Sequence, residues 1–161
     1  MTEIPITVVV NGEQRAASAE PRRTLAEVLR TDLLLTGTHT GCEHGVCGSC
    51  TVLIDGQPVR SCLMLAVQAD GRDITTIEGL EQDAVGRAVQ EAMRDSHAFQ
   101  CGFCTPGFLT TIAALIRETD RPLTRTEIRQ HLAGNICRCS GYEPIIDAVE
   151  AVAARVREAV A

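Results

Sequence analysis

The stretch GCEHGVCGSCTVLIDG, residues 41–56, contains three cysteines and three glycines in a loop that runs into a predicted strand, with a fourth glycine in the turn that follows. Thiolates so close in sequence can converge on one metal centre only if the backbone bends sharply and passes close to that centre. Glycine allows both, because it adopts positive φ and has no Cβ to collide. Gly41, Gly45 and Gly48 are therefore interpreted as the residues that let the loop wrap around a metal centre and direct amide groups at sulfur.

The cysteines in the first half of the chain have the spacing Cys42-x4-Cys47-x2-Cys50-x11-Cys62. This is the ligand spacing of plant-type [2Fe–2S] centres. The fourth cysteine is predicted on the strand that returns after an Asp55-Gly56 hairpin turn, which would bring it back beside the loop. We therefore predict that these four thiolates hold a [2Fe–2S] cluster.

The other four cysteines lie in the second half of the chain as two pairs, Cys101-x2-Cys104 and Cys137-x-Cys139. Each pair closely precedes a predicted helix, and a helix N-terminus offers free amide groups and a partial positive charge to an anionic cluster. Gly102 and Gly141 would again permit a close approach of the backbone. We predict that these thiolates hold a second [2Fe–2S] cluster, whose reduced state the two helix ends would favour.

A structural zinc site is an alternative for the second half of the chain, whose spacing is loosely zinc-like, whereas that of the first half is not. Disulfides are disfavoured because the chain is predicted to be cytoplasmic, where thiols stay reduced. A Rieske centre, suggested by Cys42-x-His44, would need a second Cys/His pair. His39, His97 and His131 do not supply one at matching spacing. His44 is instead expected to be a loop residue that forms hydrogen bonds beside the ligands.

The first half of the chain is predicted to be mostly strand. Asn11-Gly12 is a strong hairpin signal, and Thr24 with Glu27 forms a capping box at the start of a helix. The predicted elements are strands at residues 4–10, 13–17, 50–56, 58–65 and 73–77 and one helix at residues 25–32.

The second half is predicted to be helical, and the boundary between the halves falls in the polar, glycine-containing segment 78–82. Thr105-Pro106 is typical of an N-cap followed by proline at the first helical position, and Thr124 with Glu127 forms a second capping box. The last helix carries an apolar stripe of Ile145, Val149, Val152, Val156 and Val160. The four predicted helices span residues 83–95, 105–118, 125–132 and 143–160. We predict two domains, residues 1–79 and 80–161.

Composition and charge argue against several classes of function. The chain has 161 residues and a formal net charge of −6, which disfavours nucleic acid because its binding depends on basic residues. The N-terminal MTEIPITVVV has no basic segment before its apolar run and is interpreted as a first strand rather than a signal peptide. No apolar run approaches the ~20 residues of a membrane helix. The chain is therefore predicted to be cytoplasmic, without a membrane span.

Three motifs make the sequence recognisable: GCEHGVCGSCTVLIDG, QCGFCTPGF and GNICRCSGYEPI. In this order, and with all eight cysteines accounted for, they resemble the small iron–sulfur subunit of the xanthine dehydrogenase/molybdenum hydroxylase family, to which the carbon monoxide dehydrogenase small subunit belongs. The resemblance covers residues 4–156. It implies an α+β protein in which an N-terminal β-grasp domain of the plant-type ferredoxin kind precedes a C-terminal four-helix domain that binds the second [2Fe–2S] cluster.

The same resemblance implies cofactors and partners. The cluster of the second half would lie nearest a molybdenum cofactor, a molybdopterin in the cytosine dinucleotide form, on a large subunit, and the cluster of the first half nearer an FAD on a medium subunit. Electrons would pass from substrate to molybdenum and then through both clusters to the flavin. Gln100 and Cys139 match the family positions that approach the pterin. Most FAD-linked relatives assemble as a dimer of heterotrimers, and the resemblance implies the same assembly here.

Two observations bear on the choice between a subunit and a free carrier. The chain has no Rossmann glycine motif and no phosphate-binding loop, so FAD and a pterin nucleotide would have to sit on partner chains. Residues 99–108 contain no charged residue, which favours an apolar contact surface over the charged surface of a diffusing carrier. The sequence therefore predicts an electron-transfer subunit of an oxidoreductase complex, with no catalytic residue of its own. The alternatives are a free-standing two-cluster ferredoxin-like carrier and a zinc-binding interaction module.

Overall fold

In the computed structural model, which describes residues 2–158 and side chains as far as Arg155, the first half of the chain forms a five-stranded mixed sheet. Its strands are β1 (Ile4–Val10), β2 (Glu13–Ala19), β3 (Thr51–Ile54), β4 (Gln57–Arg60) and β5 (Asp73–Thr75), in the order β2-β1-β5-β3-β4. β1 is parallel to β5, and the other neighbours are antiparallel. Both predicted hairpin turns are confirmed, since Gly12 and Gly56 adopt left-handed φ values of 82° and 83°.

Helix α1 (Leu25–Thr31) covers the apolar face of this sheet and gives the half a β-grasp arrangement. Its predicted capping box is confirmed: the Glu27 amide donates to Thr24 Oγ1 at 3.2 Å, and the Thr24 amide donates to the Glu27 carboxylate at 2.6 Å. From Ile6 onward, alternate residues of β1 are buried, as expected for a strand with one face in the core. The core beneath α1 is formed by Val8, Val10, Leu25, Leu29, Leu33, Val52, Ile54, Ala69 and Ile74.

The second half is helical, as predicted. A single-turn helix α2 (Ile77–Leu80), which the sequence pattern does not indicate, is followed by α3 (Ala84–Asp95), α4 (Thr105–Glu118), α5 (Arg125–Leu132) and α6 (Glu143–Glu158). Helix α4 is central, and Phe108 on it is completely buried in the core that the other helices share. On α6 the predicted apolar residues Ile145, Val149 and Val152 are buried. The remaining residues of that stripe, Val156 and Val160, lie outside the described side chains.

The segment after β3 differs from the prediction. β4 ends at Arg60, so Cys62 lies in a turn and not on the return strand. The backbone leaves β3 at this point because it bonds to the start of α1, where the Ala26 amide donates to the Ser61 carbonyl at 3.1 Å. The other boundaries agree with the predictions to within two residues. The turn therefore holds Cys62 between the sheet and α1.

The two halves contact each other through α4, which packs against β3 and β4. Gly107 in the first turn of α4 has no room for a side chain, because a Cβ there would lie 2.2 Å from the carbonyl oxygen of Gly48. Helix α2 contacts both β5 and α4, and the division into residues 1–79 and 80–161 remains a prediction. Within residues 2–158, no helix combines the length and apolar character needed to cross a membrane.

Candidate metal centres

The loop before β3 brings Cys42 and Cys47 together. The Cys47 amide donates to the Cys42 sulfur at an N···S distance of 3.4 Å. The loop reaches this geometry through φ values of 82° at Gly45 and 75° at Gly48, so the predicted need for backbone freedom is confirmed at both glycines. The same prediction is wrong for Gly41, whose φ is not left-handed. A Cβ there would lie 3.3 Å from the Phe103 ring and 3.4 Å from the Cys47 sulfur.

Cys50 and Cys62 form the second contact of this group. Cys50 ends the loop directly before β3, and only 2% of Cys50 and 7% of Cys62 are exposed. The two thiols contact each other, and the charge of Cys42 is close enough to act on Cys62. Ser61 fixes the turn to the loop, because its hydroxyl and amide donate to the Cys50 carbonyl at 2.7 and 3.3 Å. The four cysteines predicted for the first cluster therefore lie together, as two pairs.

The surroundings of this group favour the thiolate form of Cys42, near the surface, and disfavour the thiolate form of the buried Cys62. The pKa of Cys42 is lowered to about 6, because the backbone amides of Cys47 and then His44 donate to its sulfur. The pKa of Cys62 is raised to about 11, mainly by burial and then by the neighbouring Cys50 thiol. A bound cation supplies the positive charge that deprotonates such buried thiols. The donor set thus fits iron held by thiolate sulfur.

The second group joins the two distant cysteine motifs crosswise. Gly102, with φ of 81°, turns the chain between Cys101 and Cys104. The Cys101 thiol contacts that of Cys139. The Cys104 thiol contacts that of Cys137. Each contact therefore takes one cysteine from each motif, so the pairs that are adjacent in sequence are not the pairs found in space.

Hydrogen bonds from Ser140 act on the inner pair of this group. Ser140 donates to the Cys137 sulfur from its hydroxyl at 3.1 Å and from its amide at 3.3 Å. Burial opposes the charged form of Cys137, but these bonds outweigh it and lower the pKa of that thiol. The pKa of Cys104 is raised to about 12, by burial first and then by the Cys137 thiol. This pair, like the buried pair of the first group, needs a bound cation to hold two thiolates.

Helix α4 begins beside this group, but not with the cap that the sequence predicts. Cys104 is the N-cap residue, and Thr105 is already helical, with Pro106 following it. The Cys104 side chain makes no capping hydrogen bond. The Thr105 amide donates to the Gly102 carbonyl at 3.2 Å instead, and Pro106 has no N–H to offer. Thr105 Oγ1 is buried and has no hydrogen-bond partner within residues 2–158. Buried hydroxyls normally have a hydrogen-bond partner, and an inorganic group bound next to Cys104 would supply one.

The pairing of the thiols distinguishes a two-iron cluster from a single ion. Over the described part of the chain all eight cysteines are free thiols, and no three His, Cys, Asp or Glu side chains converge on a single-ion site. The thiols meet instead in pairs, two pairs in each half. A [2Fe–2S] cluster with four cysteine ligands takes two thiolates on each iron, whereas a structural zinc site takes four around one ion. Each group therefore fits a [2Fe–2S] cluster better than zinc.

Gln100 and Cys139, the residues that the resemblance assigns to a pterin, lie together at the surface. The Gln100 amide nitrogen Nε2 donates to the Cys139 carbonyl at 3.1 Å, and both residues are exposed. Exposed apolar residues also lie within or next to the cysteine segments of both groups: Val46, Leu63, Phe99, Phe103, Ile136 and Tyr142. Exposed apolar residues therefore flank the thiols of both groups, together with the exposed charged residues Glu43 and Arg138.

Sequence reasoning missed the residues that tie the two groups together. His39 stacks on the Phe103 ring at a centroid distance of 5.0 Å, and its Nδ1 lies 2.7 Å from the Phe103 carbonyl oxygen. Elsewhere the Ile136 amide donates to the Cys47 carbonyl at 2.9 Å. Neither contact has a local sequence signal, because its partners come from opposite halves of the chain. His44, in contrast, bonds to a carbonyl of its own loop, as predicted.

Comparison with known proteins agrees with this arrangement. Residues 8–83 match the family described as 2Fe-2S iron-sulfur cluster binding domain, and residues 76–150 match the family described as [2Fe-2S] binding domain. Fold and site thus define a protein with two [2Fe–2S]-binding domains. The chain is 53% identical to the 6-hydroxypseudooxynicotine dehydrogenase complex subunit beta of Paenarthrobacter nicotinovorans, over 92% of each chain. It is 46% identical to the xanthine dehydrogenase iron-sulfur-binding subunit of Escherichia coli O157:H7, over 91% of this chain and 92% of that one.

A solved structure gives the same result. A chain of quinoline 2-oxidoreductase from Pseudomonas putida 86 is similar over 97% of both chains, with 51% identity and a TM-score of 0.90. The present chain therefore belongs to the family of small iron–sulfur subunits of the xanthine dehydrogenase and molybdenum hydroxylase enzymes. The predicted α+β fold, with a ferredoxin-type domain before a helical [2Fe–2S] domain, is confirmed.

Proposed function

We propose that the chain carries electrons within a molybdenum-containing hydroxylase or dehydrogenase complex. The observation that carries this proposal is the arrangement of eight free cysteines as two groups of two pairs, in a chain of the small iron–sulfur subunit family. When bound, each [2Fe–2S] cluster accepts and releases one electron at a time. The task of this chain's own residues is to hold the irons, to stabilise negative charge on the sulfurs and to present both centres to neighbouring subunits.

The observed contacts support an assignment of the thiolates that share an iron. In the first cluster these are Cys42 with Cys47 and Cys50 with Cys62, and in the second they are Cys101 with Cys139 and Cys104 with Cys137. One pair of each cluster lies toward the surface and the other toward the interior. Hydrogen bonds to the sulfurs favour the more negative, reduced state. The backbone amides of the first loop and both donors of Ser140 are therefore assigned that role.

The surface corner of Gln100 and Cys139 supports contact with a large subunit that carries the molybdenum cofactor. One N–H of the Gln100 amide is used by the Cys139 carbonyl, which leaves the other N–H and the amide oxygen for an outside partner. We assign these groups to the pterin edge of a molybdopterin, in its cytosine dinucleotide form, on that subunit. Electrons then enter the chain at the second group of cysteines and leave at the first, toward an FAD.

Exposed apolar side chains support partner subunits at both groups. Val46 and Leu63 beside the first group are 55% and 61% exposed, and Phe99 and Phe103 beside the second are 44% and 48% exposed. Apolar surface of this kind marks protein–protein contact sites. We propose a medium FAD-binding subunit at the first group and the large subunit at the second, with two such heterotrimers in the complete complex. We propose that the complex is cytoplasmic, a compartment in which the cysteines stay reduced until they bind iron.

Purification of the untagged chain from its native host tests this function. The expected result is recovery with two larger chains, together with molybdenum, flavin and about four irons per small chain. A brown chain recovered alone with the same iron content would support a free-standing two-cluster ferredoxin-like carrier instead. A colourless chain that contains zinc would contradict the assignment of all eight cysteines.

A further inference from the structure

The first cysteine loop is enclosed by the two segments that carry the second group. Gly48 in that loop is buried and adopts φ of 75°. A Cβ on Gly48 would lie 2.5 Å from the Gly134 carbonyl oxygen, and a Cβ on Gly107 would lie 2.2 Å from the Gly48 carbonyl oxygen. Gly107 follows the 101–104 cysteine pair, and Gly134 precedes the 137–139 pair. The backbones of the three ligand segments therefore approach each other closely at this point.

Asn135 connects these segments through a buried amide. Only 3% of the residue is exposed, and its Nδ2 donates to the Gly48 carbonyl at 3.3 Å. Its Oδ1 lies 3.2 Å from the Thr111 hydroxyl, which also lies 2.8 Å from the Gly107 carbonyl and shares its hydrogen between the two acceptors. One side chain thus links the first cysteine loop, the loop between α5 and α6, and helix α4.

The hydrogen bond from Asn135 is not required to satisfy the Gly48 carbonyl. That oxygen already accepts from the Thr51 amide at 3.2 Å and from the Thr51 hydroxyl at 2.6 Å, and a carbonyl has two lone pairs. Both of those bonds stay within the first half of the chain, whereas the bond from Asn135 crosses to the second half. The bond from Asn135 therefore restrains the distance between the first cysteine loop and the loop between α5 and α6.

The neighbours of this contact are the cysteines of both groups. Ile136, which follows Asn135 and precedes Cys137, donates its amide to the Cys47 carbonyl at 2.9 Å. A shift of the Asn135 backbone therefore moves a ligand of one group relative to a ligand of the other. On the basis of the proposed function, we propose that Asn135 is a positioning residue that fixes the separation of the two [2Fe–2S] clusters.

The magnetic interaction between the two reduced clusters reports this separation, because dipolar coupling falls with the cube of distance. The complex with Asn135→Ala is compared with the wild type by low-temperature electron paramagnetic resonance after reduction with dithionite. The expected result is a smaller and broader dipolar splitting, with unchanged iron content and with the signals of both clusters retained. Thr110→Val is the matched control, since the buried Thr110 hydroxyl donates to the Pro106 carbonyl at 2.9 Å within α4. Its removal is expected to leave the splitting unchanged.

An Asn135→Ala protein with full iron content and the wild-type splitting would overturn the positioning role. If Asn135→Ala loses iron, the dipolar splitting of Thr111→Val is measured instead, because this variant removes only the hydroxyl that orients the Asn135 amide. A reduced splitting then supports the role and a wild-type splitting overturns it. An equal change in Thr110→Val would also overturn it, since general loosening of α4 would be the cause. Absence of iron from the wild-type protein would contradict the proposed function itself, before any variant is compared.

Discussion

The glycine at position 45 is required by its backbone conformation. Its φ of 82° lies in the region that L side chains disfavour. A Cβ there would lie 2.4 Å from Cδ1 of Leu63, but Leu63 is an exposed side chain that can move aside. Gly12 has the same φ, but a Cβ at that position meets nothing within 4 Å. The two glycines therefore share the cost of a left-handed backbone and differ in that only Gly45 lies in the loop that carries the cysteines.

Gly45→Val is expected to prevent the first cluster from being held, because the loop can no longer close around its four thiolates. Gly12→Val is the matched control and is expected to cost only about 1–2 kcal/mol of unfolding free energy, the cost of a left-handed L residue. Iron content and urea unfolding of the two variants are the measurements. A full iron complement in Gly45→Val would show that the loop does not need this glycine.

Single cysteine substitutions are expected to remove one cluster at a time, because the two groups share no thiol. The substitutions Cys42→Ser, Cys47→Ser, Cys50→Ser and Cys62→Ser should abolish only the first cluster. Cys101→Ser and Cys137→Ser should abolish only the second. Electron paramagnetic resonance of the reduced protein distinguishes the two signals, so each set of variants serves as the control for the other. The assignment fails if any of these variants keeps both signals.

At the scale of the elements, helix α1 depends on its capping box. Thr24→Ala removes the hydroxyl that accepts the Glu27 amide, and an N-cap of this kind contributes about 1 kcal/mol. The unfolding free energy in urea is expected to fall by about that amount, while both clusters are retained. Thr24→Ser keeps the hydroxyl and should behave like the wild type. An equal loss in both variants would mean that the Thr24 methyl group, and not the cap, is responsible.

Local signals predicted the elements well, and tertiary contacts account for the differences. The hairpin glycines and both capping boxes act within four residues, so they can be read without knowledge of the fold. The apolar residues after β4 predict that Cys62 lies on a strand, but the chain turns at Ser61, whose carbonyl accepts the Ala26 amide. Thr105-Pro106 predicts Thr105 as the N-cap, but Cys104 takes that position, and the Thr105 amide donates to the Gly102 carbonyl.

In the candidate site, too, some features have a local sequence signal and others depend on tertiary contacts. The spacing of the cysteines in sequence was sufficient to predict two groups of four thiolates, because each group lies within one half of the chain. The crosswise contact of Cys101 with Cys139 could not be predicted, since it depends on how α4 and α6 are placed. The role of Asn135 could not be predicted either, because its partner Gly48 lies in the other half.

At the scale of the whole molecule, exposed apolar residues lie both beside the cysteines and at the opposite end of the sheet. The cysteine loop leads into the start of β3, while the end of β3 is level with the end of β1, since Ile54 and Val10 both pair with Ile74. Ile4, at the start of β1, therefore lies at the opposite end of the sheet from the cysteines. It is also an exposed apolar residue, at 41%. The molecule thus offers an apolar residue of similar exposure away from the proposed subunit contacts.

Phe99→Asp is expected to reduce the recovery of the large subunit with this chain, because it places a charge in the apolar surface beside the second group. Ile4→Asp is the control and should leave recovery unchanged. The ratio of the chains after purification, together with iron content, is the measurement. If both variants recover the large subunit as the wild type does, the contact lies elsewhere on the molecule.

The enclosure of Gly48 also bears on the order in which the two clusters are inserted into the chain. The ribosome has delivered all four cysteines of the first group by residue 62, but the segments around Gly107 and Gly134 that close over their loop emerge later. Once they dock, the loop around Gly48 is held between the two segments. Iron and sulfide for the first cluster are therefore expected to enter most readily while the growing or newly released chain is still open. The second group keeps two cysteines at the surface after closure, so it can be loaded last.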